Sequence, residues 1–386
     1  MRKATTVFAL LLRLIPRRLA EQIARRTATE ARVRRLGWYS RLGALVFAQL
    51  ADCSSVRSLL HHVSELPFVR RALGIERLAK STLTDALERP VGEIFGAALQ
   101  ELLARLQELC AKQRRRGGRR WRETMMIMDA TYLALCLSRF EWARRPGSSG
   151  RAGVKLHVAY SAYLRAPEQL VVCEGHLHER NAKAALSLGE GRLCVFDRGY
   201  FDLDFFEQLR AAGATFVTRL KRRVHVHTLT SRRPSDPRVL EDSDVVLGID
   251  ADSPRFRLVR YRDLKTKREY EFLTDRFDLS ATSVADAYKA RWQIELFFRF
   301  LKQHLRIKRF YGTSREAVEA QIYAALIAFV LVEIARRLSQ GIQGSSLAMW
   351  RSLRVALTTS HVEATWFEKL RTSPFLDILL AERFWP

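Results

Sequence analysis

The spacing of apolar residues changes at a basic stretch near residue 113, and this change is the strongest constraint on the fold. Upstream, as from Val91 to Leu109, apolar residues recur every three or four positions, which is typical of amphipathic helices. Downstream, as from Thr124 to Met128, they are contiguous or alternate with polar residues, which is typical of strands. The stretch itself, Gln-Arg-Arg-Arg-Gly-Gly-Arg-Arg-Trp-Arg, is too charged to enter a core. We therefore predict a helical amino-terminal domain over residues 1–112 and a linker over residues 113–122.

The elements after the linker follow a definite order: three strands, a helix, a strand, a helix and a strand. The strands are predicted at residues 124–128, 154–159, 170–173, 193–196 and 215–218, and the helices at residues 182–188 and 204–212. This is the order of an RNase H-like core, a mixed α+β fold in which helices flank a mixed sheet. Residues 123–220 are predicted to form the first part of that core.

The rest of the chain divides by the same spacing. Residues 221–278 alternate in a β manner, which predicts a β-rich insertion that interrupts the core. From Val284 the helical spacing returns and holds through Arg306, so residues 279–344 are predicted to complete the core. Residues 345–386 form a short, aromatic carboxy-terminal tail without a clear pattern.

The excess of positive charge indicates the kind of partner. Lysine and arginine total 66 against 41 aspartates and glutamates, which gives a formal net charge of +25. Such an excess favours polyanions, above all nucleic acid, over a small-molecule substrate. Two roles are then open for the helical amino-terminal domain: binding DNA ends, as a helix-turn-helix does, or packing and dimerisation.

Cysteine usage and hydropathy indicate the compartment. The five cysteines are widely spaced without a Cys-x-x-Cys motif, so neither a disulfide framework nor a structural zinc site is predicted. The longest apolar run, Ile322 to Val332, is too short to span a bilayer and is predicted to be a buried helix. We expect a cytoplasmic protein without a membrane partner.

One predicted helix carries a polar stripe beside an otherwise apolar surface. At about 100° per residue, four polar side chains fall within about 60° of one another around this helix. They are Tyr288, Arg291, Glu295 and Lys302, and Arg299 extends the stripe. A carboxylate among cations suits a site that holds metal ions and a phosphate, because the carboxylate takes the metal and the cations take phosphate oxygens. The alternative is an ordinary solvated helix face with charge pairs.

The spacing Tyr-x₂-Arg-x₃-Glu-x₆-Lys in this helix resembles the signature of bacterial DDE transposases of the insertion sequence 4 family. Two motifs upstream also resemble that family, and each follows an apolar strand. They are Met128-Asp129-Ala-Thr131 and Phe196-Asp197-Arg198-Gly199-Tyr200. The resemblance implies a DNA transposase that catalyses cut-and-paste transposition of its insertion sequence.

The resemblance also implies roles for individual residues. Asp129, Asp197 and Glu295 would hold two Mg²⁺ ions for phosphodiester cleavage and strand transfer, and Mn²⁺ is expected to substitute. A second group would contact DNA phosphates; its members are Tyr288, Arg291, Lys302, Arg198 and Arg299. The implied partners are double-stranded DNA, as transposon ends and as target, and a second copy of the chain in a homodimer. The implied location is the bacterial cytoplasm, at the nucleoid when DNA is bound.

Two alternatives remain open from the sequence. One is a structure-selective nuclease with the same RNase H-like fold, which cuts DNA without joining it. The other is a DNA-binding protein without catalysis. Strand transfer distinguishes a transposase from the first alternative, and metal-dependent nicking distinguishes both enzymes from the second.

Overall fold

The computed structural model of the chain describes residues 6–27, 36–113, 120–144, 152–174, 189–248, 254–305, 310–339, 344–359, 365–374, 376 and 380. Most of the predicted linker, the helix predicted at residues 182–188 and Arg306 lie outside these residues. The chain divides into two compact units. The helical unit comprises Met1–Arg114, Leu133–Gly153 and Phe298–Pro386, and the sheet unit comprises Arg115–Tyr132 and Val154–Phe297.

Helices form most of the amino-terminal and carboxy-terminal segments. Their bounds are α1 Val7–Leu14, α2 Arg18–Arg26, α3 Trp38–Leu50, α4 Val56–Glu65, α5 Pro67–Leu73, α6 Lys80–Leu87, α7 Gly92–Lys112, α8 Arg120–Glu123, α9 Leu203–Ala211, α10 Ala281–Ala290, α11 Trp292–His304, α12 Arg315–Leu338, α13 Ser346–Ala356 and α14 Thr365–Arg371. Hydroxyl side chains begin several of them by accepting a backbone N–H three residues on, as Thr6 does for α1 and Ser314 for α12. The predicted helical character of residues 1–112 is confirmed in the described part of that range.

Helix α12 is the central element of the helical unit. It packs against α7, α3 and α13, and almost every side chain from Ala317 to Ala335 is buried. By length and composition alone it could cross a membrane, yet 89% of its most apolar window is buried inside the unit. Its apolar surface therefore serves the core, and the buried helix predicted at Ile322 to Val332 is confirmed.

The strands of the described chain form one mixed sheet of nine. Their bounds are β1 Met125–Leu135, β2 Ala152–Ser161, β3 Ala166–Glu174, β4 Leu193–Phe196, β5 Thr215–Arg219, β6 Val226–Ser231, β7 Val239–Leu247, β8 Arg255–Arg262 and β9 Glu269–Thr274. The order across the sheet is β3-β2-β1-β4-β5-β9-β8-β7-β6. β4 is parallel to both of its neighbours, whereas β9 is antiparallel to β5. The four strands of residues 221–278 thus extend the same sheet beyond β5.

Strand β1 is longer than the sequence indicates. The apolar run predicts a strand that ends at Asp129, but β1 continues to Leu135. The pairing with β4 does end at Met128, opposite Phe196, while β2 lies on the other side of β1. The prediction of the strand end was wrong because backbone pairing with neighbouring strands, rather than the polarity of one side chain, sets the length of a strand.

An aromatic cluster packs β4 and β5 against helix α9. The rings of Phe206 and Phe216 stack with their centroids 4.3 Å apart, and Phe196 lies within 6.1 Å of both. All three side chains are buried. Because aromatic pairs of this kind hold a preferred geometry, the cluster limits how β4 and β5 can shift relative to α9.

We expect the buried ion pair between β7 and β8 to be necessary for the stability of the sheet unit. Arg257 donates two hydrogen bonds of 2.7 Å to Asp242, and both side chains are almost fully buried. Arg257→Ala leaves the Asp242 charge without this partner and should lower the free energy of unfolding by about 3–5 kcal/mol. Arg262→Ala, which removes an exposed pair with Glu269, should cost about 0–1 kcal/mol. Urea titrations followed by circular dichroism measure both values, and equal losses would contradict the prediction.

Candidate active site

Parallel pairing brings the first two carboxylates to neighbouring positions in the sheet. In the register of β1 and β4, Met128 lies opposite Phe196, and each is followed directly by an aspartate. Because both strands run in the same direction, Asp129 and Asp197 leave the paired region side by side. Asp129 Oδ1 accepts the Ala130 N–H at 2.8 Å, and Asp197 Oδ1 accepts the Gly199 N–H at 2.9 Å. Both carboxylates are therefore oriented by the backbone.

The polar stripe does not lie on one unbroken helix. α10 ends at Ala290, α11 begins at Trp292, and Arg291 lies between them. The Arg291 N–H donates to Tyr288 O at 3.0 Å and the Ile294 N–H donates to Arg291 O at 3.1 Å, which are the shorter bonds of a tighter turn. The prediction of a continuous helix was wrong at this residue, because apolar spacing does not register a break of a single turn. The backbone of Arg291 nevertheless keeps helical angles, φ −52° and ψ −29°, and Arg291 still meets Glu295 four residues on.

Arg291 joins the sheet to the helix that carries the third carboxylate. Its Nη1 donates to Asp129 Oδ2 at 2.9 Å, and its Nη2 donates to Glu295 Oε1 at 3.1 Å. The side chains of Arg291 and Asp129 are 18% and 16% exposed, so water screens this contact only in part. One guanidinium thus brings Glu295 to the same place as Asp129, by charge-assisted hydrogen bonds to both.

Burial controls the protonation of Asp129. It raises the pKa of this carboxyl from 3.8 to about 6, although the Ala130 N–H and the Arg291 charge act in the opposite direction. The charges of Asp197 and Glu295 raise the pKa further, which indicates that the three carboxylates lie within each other's field. For Arg291, burial disfavours the charge, but Tyr288, Asp129 and Glu295 outweigh it and raise the pKa above its ordinary value.

The donor atoms suit a divalent cation, but the arrangement is not a closed metal cage. Carboxylate oxygens are the ligands that Mg²⁺ and Mn²⁺ prefer. Within the part of the chain that the structure describes, no three His, Cys, Asp or Glu side chains gather closely enough to hold an ion. The group in contact with both Asp129 and Glu295 is the Arg291 guanidinium. A metal that took Asp129 Oδ2 and Glu295 Oε1 together would displace Arg291 from these two atoms.

The other predicted DNA contacts fall into two groups. Tyr288 is half-buried, its ring centroid 5.0 Å from that of Phe272 and 5.9 Å from the Arg291 guanidinium carbon. Arg198 follows Asp197 in a single 3₁₀ turn and is half-buried. Arg299 and Lys302 lie further along α11, on residues assigned to the helical unit. Their contact with DNA stays a prediction.

Two arginines near this site were missed by the sequence analysis. Arg219 ends β5 and Arg222 follows it, and the charges of both lower the pKa of Arg198, after the larger effect of burial. A signal for them exists in the sequence, since Arg219-Leu-Lys-Arg-Arg223 comes directly after a predicted strand. The alignment of this strand with the one that ends at Asp197 could not be read from the sequence.

Two family models match parts of this chain, and several known proteins are similar to it. The Transposase DDE domain family matches residues 120–331, and a domain of unknown function, DUF4372, matches residues 3–65. A probable transposase for insertion sequence element IS5377 of Geobacillus stearothermophilus is 31% identical over 264 residues, which cover 67% of this chain and 68% of that protein. A putative transposase, y4zB, of Sinorhizobium fredii is 31% identical over 271 residues, covering 67% and 72%. A piggyBac transposase in a synaptic complex with hairpin DNA aligns over 98% of this chain and 85% of its own, with a TM-score of 0.45 and 14% identity.

We expect a proton and a divalent ion to compete for Asp129. Because the pKa of this group is raised to about 6, the carboxyl is neutral below that pH and charged above it. The affinity for Mn²⁺ in the absence of DNA should therefore be about tenfold lower near pH 5 than near pH 7.5, since the ion must displace the proton. Isothermal titration calorimetry at the two pH values measures this ratio. In Asp129→Asn the binding should be weak and nearly independent of pH, and a parent affinity that rises toward pH 5 would contradict the prediction.

Proposed function

This chain belongs to the DDE transposase family, and we propose that it moves an insertion sequence by cut-and-paste transposition. In this proposal the enzyme cleaves phosphodiester bonds at the ends of the element and joins the freed 3′-hydroxyl groups to target DNA. We assign it to the insertion sequence 4 group, because residues 288–302 resemble the signature of that group. The strand order β3-β2-β1-β4-β5, with β4 parallel to both neighbours, supports an RNase H-like core.

The observation that carries the proposal is the convergence of three carboxylates on one edge of the sheet. Asp129 and Asp197 follow the last paired residues of β1 and β4, and Glu295 is tied to Asp129 through Arg291. The three come from segments that are far apart in sequence. A chain that needs no carboxylates for chemistry would have little reason to collect them, because each raises the cost of ionising the next.

In the proposed reaction Asp129, Asp197 and Glu295 hold two Mg²⁺ ions, for which Mn²⁺ can substitute. When bound, such ions supply an activated attacking oxygen and stabilise the leaving oxygen. Arg291 acts with the substrate: a DNA phosphate offers its guanidinium a bidentate partner in exchange for the carboxylates. The Tyr288 ring lies against that guanidinium, with 5.9 Å between its centroid and the Arg291 carbon, and limits the directions in which it can turn.

The partners and the location follow from the same proposal. The substrates are double-stranded transposon ends and target DNA, and the formal net charge of +25 suits such a polyanion. Two ends must be cut together, for which a homodimer is the simplest assembly. We place the protein in the bacterial cytoplasm, at the nucleoid when it is bound to DNA. The helical amino-terminal segment then has either of its two roles, reading the ends or joining the copies.

We expect each of the three carboxylates to be required for chemistry but not for binding. Asp129→Asn, Asp197→Asn and Glu295→Gln should each reduce nicking and joining to background in Mg²⁺, because each removes a metal ligand. Binding to duplex DNA should stay within about twofold of the parent, since removing a negative charge does not weaken a positive surface. The matched control is Glu207→Gln, an exposed carboxylate on α9. Full activity in any of the three variants would remove that residue from the site.

We expect the effect of the Arg291→Ala substitution to distinguish a transposase from a nuclease. Arg291→Ala should weaken joining of a pre-cleaved end by about tenfold to a hundredfold, because joining must align a 3′-hydroxyl with a second phosphate. Nicking of the first strand should fall less. Lys289→Ala, which removes an exposed cation from α10, is the control and should leave both rates unchanged. Two results together would favour a structure-selective nuclease. Nicking and joining would fall equally in the Arg291→Ala variant, and the parent would join DNA no faster than it hydrolyses it.

A further inference from the structure

Three arginines gather at the ends of β4 and β5; we call Arg198, Arg219 and Arg222 the arginine cluster. Val195 pairs with Val217 in the parallel register of these strands. Two residues further on, Asp197 directly follows the end of β4, and Arg219 is the last residue of β5. The Thr218 hydroxyl donates to Phe196 O at 3.0 Å, which holds the two strand ends together. The cluster therefore lies at the same edge of the sheet as Asp197.

The cluster has no carboxylate partner among the residues that the structure describes. Elsewhere in the sheet unit arginines do have such partners: Arg192, Arg232, Arg238, Arg255, Arg257, Arg260, Arg262 and Arg276 each pair with an aspartate or glutamate. Within the described chain Arg198, Arg219 and Arg222 form no ion pair with a carboxylate, and the buried Nε atoms of Arg198 and Arg219 have no hydrogen-bond partner. Burying such donors without partners costs free energy, which an anionic ligand that accepts from them would offset.

The charges within the cluster act on each other. Burial lowers the pKa of Arg198, and the neighbouring charges of Arg219 and Arg222 lower it further. Guanidiniums do not lose their proton in the accessible range, so all three remain cationic. Like charges held together at a partly buried position are unfavourable unless a ligand of opposite charge joins them.

An aromatic row holds Arg219 in place. Its guanidinium carbon lies 5.1 Å from the centroid of the Tyr270 ring, and Tyr270 stacks on Phe272 with their centroids 6.0 Å apart and an angle of 5°. Phe272 in turn contacts Tyr288, which lies beside Arg291. A guanidinium placed against an aromatic ring gains cation–π attraction while N–H donors in its own plane stay able to bind an anion.

We infer that the arginine cluster is a binding site for a backbone phosphate of the DNA strand that leads to Asp197. The inference rests on the proposed function, because a DNA substrate must reach Asp197 for its phosphate to meet the cluster. Several guanidiniums around one position suit a phosphate better than a carboxylate, because the oxygens of a phosphate are arranged tetrahedrally and can accept hydrogen bonds from several directions. The half-buried Arg198 and Arg219 would contact the phosphate directly, and the exposed Arg222 would approach it from solvent.

A salt titration tests the site with variants of equal charge. The test variant is Arg219→Ala with Arg222→Ala, and the control is Arg260→Ala with Arg262→Ala, which removes two arginines that have glutamate partners. We expect the test variant to bind duplex DNA about tenfold to a hundredfold more weakly than the control variant. Its plot of log affinity against log salt should be less steep by about one, since the loss of one phosphate contact means that about one counterion fewer is released on binding. A test variant that matches the control in both quantities would overturn the inference.

Duplexes that carry a single neutral methylphosphonate locate the phosphate. In the parent, one substituted position should weaken binding at least about fivefold, and in the test variant the same position should weaken it by a clearly smaller factor, because only Arg198 of the cluster remains. If every position weakens binding by the same factor in the parent and in the variant, the site does not exist. Arg219→Lys with Arg222→Lys keeps the charges and should recover part of the affinity; thermal unfolding of each variant confirms that it is folded. If the affinity of the parent for DNA does not depend on salt, the proposed function fails. If the parent binds DNA as expected and the variants bind equally well, only the inference about the arginine cluster is overturned.

Discussion

The parallel pairing of β4 with β1 and β5 is the constraint on which the rest of the site depends. It sets Asp129 beside Asp197, and it sets Arg219 at the level where Asp197 leaves the sheet. A slip of one residue would turn each of these side chains to the opposite face, since successive side chains of a strand alternate. The rings of Phe196 on β4 and Phe216 on β5 stack with Phe206, and this packing opposes such a slip. Packing in the core therefore determines where the charged groups meet.

The electrostatics of the site are a balance between burial and mutual charge. Burial raises the pKa of Asp129 to about 6, and the charges of Asp197 and Glu295 act in the same direction. Arg291 offsets part of this cost through its bonds to Asp129 and Glu295. Under the proposed function, metal ions and DNA phosphates would replace the contacts of Arg291 with Asp129 and Glu295. The arginine cluster lacks such an internal partner among the described residues, which is why it indicates a ligand more directly than Arg291 does.

The predicted class of protein is confirmed, while several structural details were wrong. The transposase family and the DNA-cleaving activity are those expected from the motifs around Asp129, Asp197 and Glu295. The mixed sheet flanked by helices is also confirmed in the described residues. The continuous helix through Arg291 and the early end of β1 were wrong, and in both cases the cause was local backbone hydrogen bonding that side-chain spacing does not report. The catalytic and DNA-contacting roles of individual residues remain proposals.

The sequence by itself determined the elements and the chemical types available. Apolar spacing located most of the described helices and strands, although β1 continues to Leu135. The charges of Asp129, Asp197 and Glu295 amid arginines indicated metal and phosphate chemistry. Only the tertiary structure decided which of these groups meet. The contact of Arg291 with Asp129 joins residues 162 positions apart, and the nearness of Arg219 to Asp197 depends on the register of two strands. Such contacts depend on the packing of whole elements, whose relative positions are not encoded in any short stretch of residues.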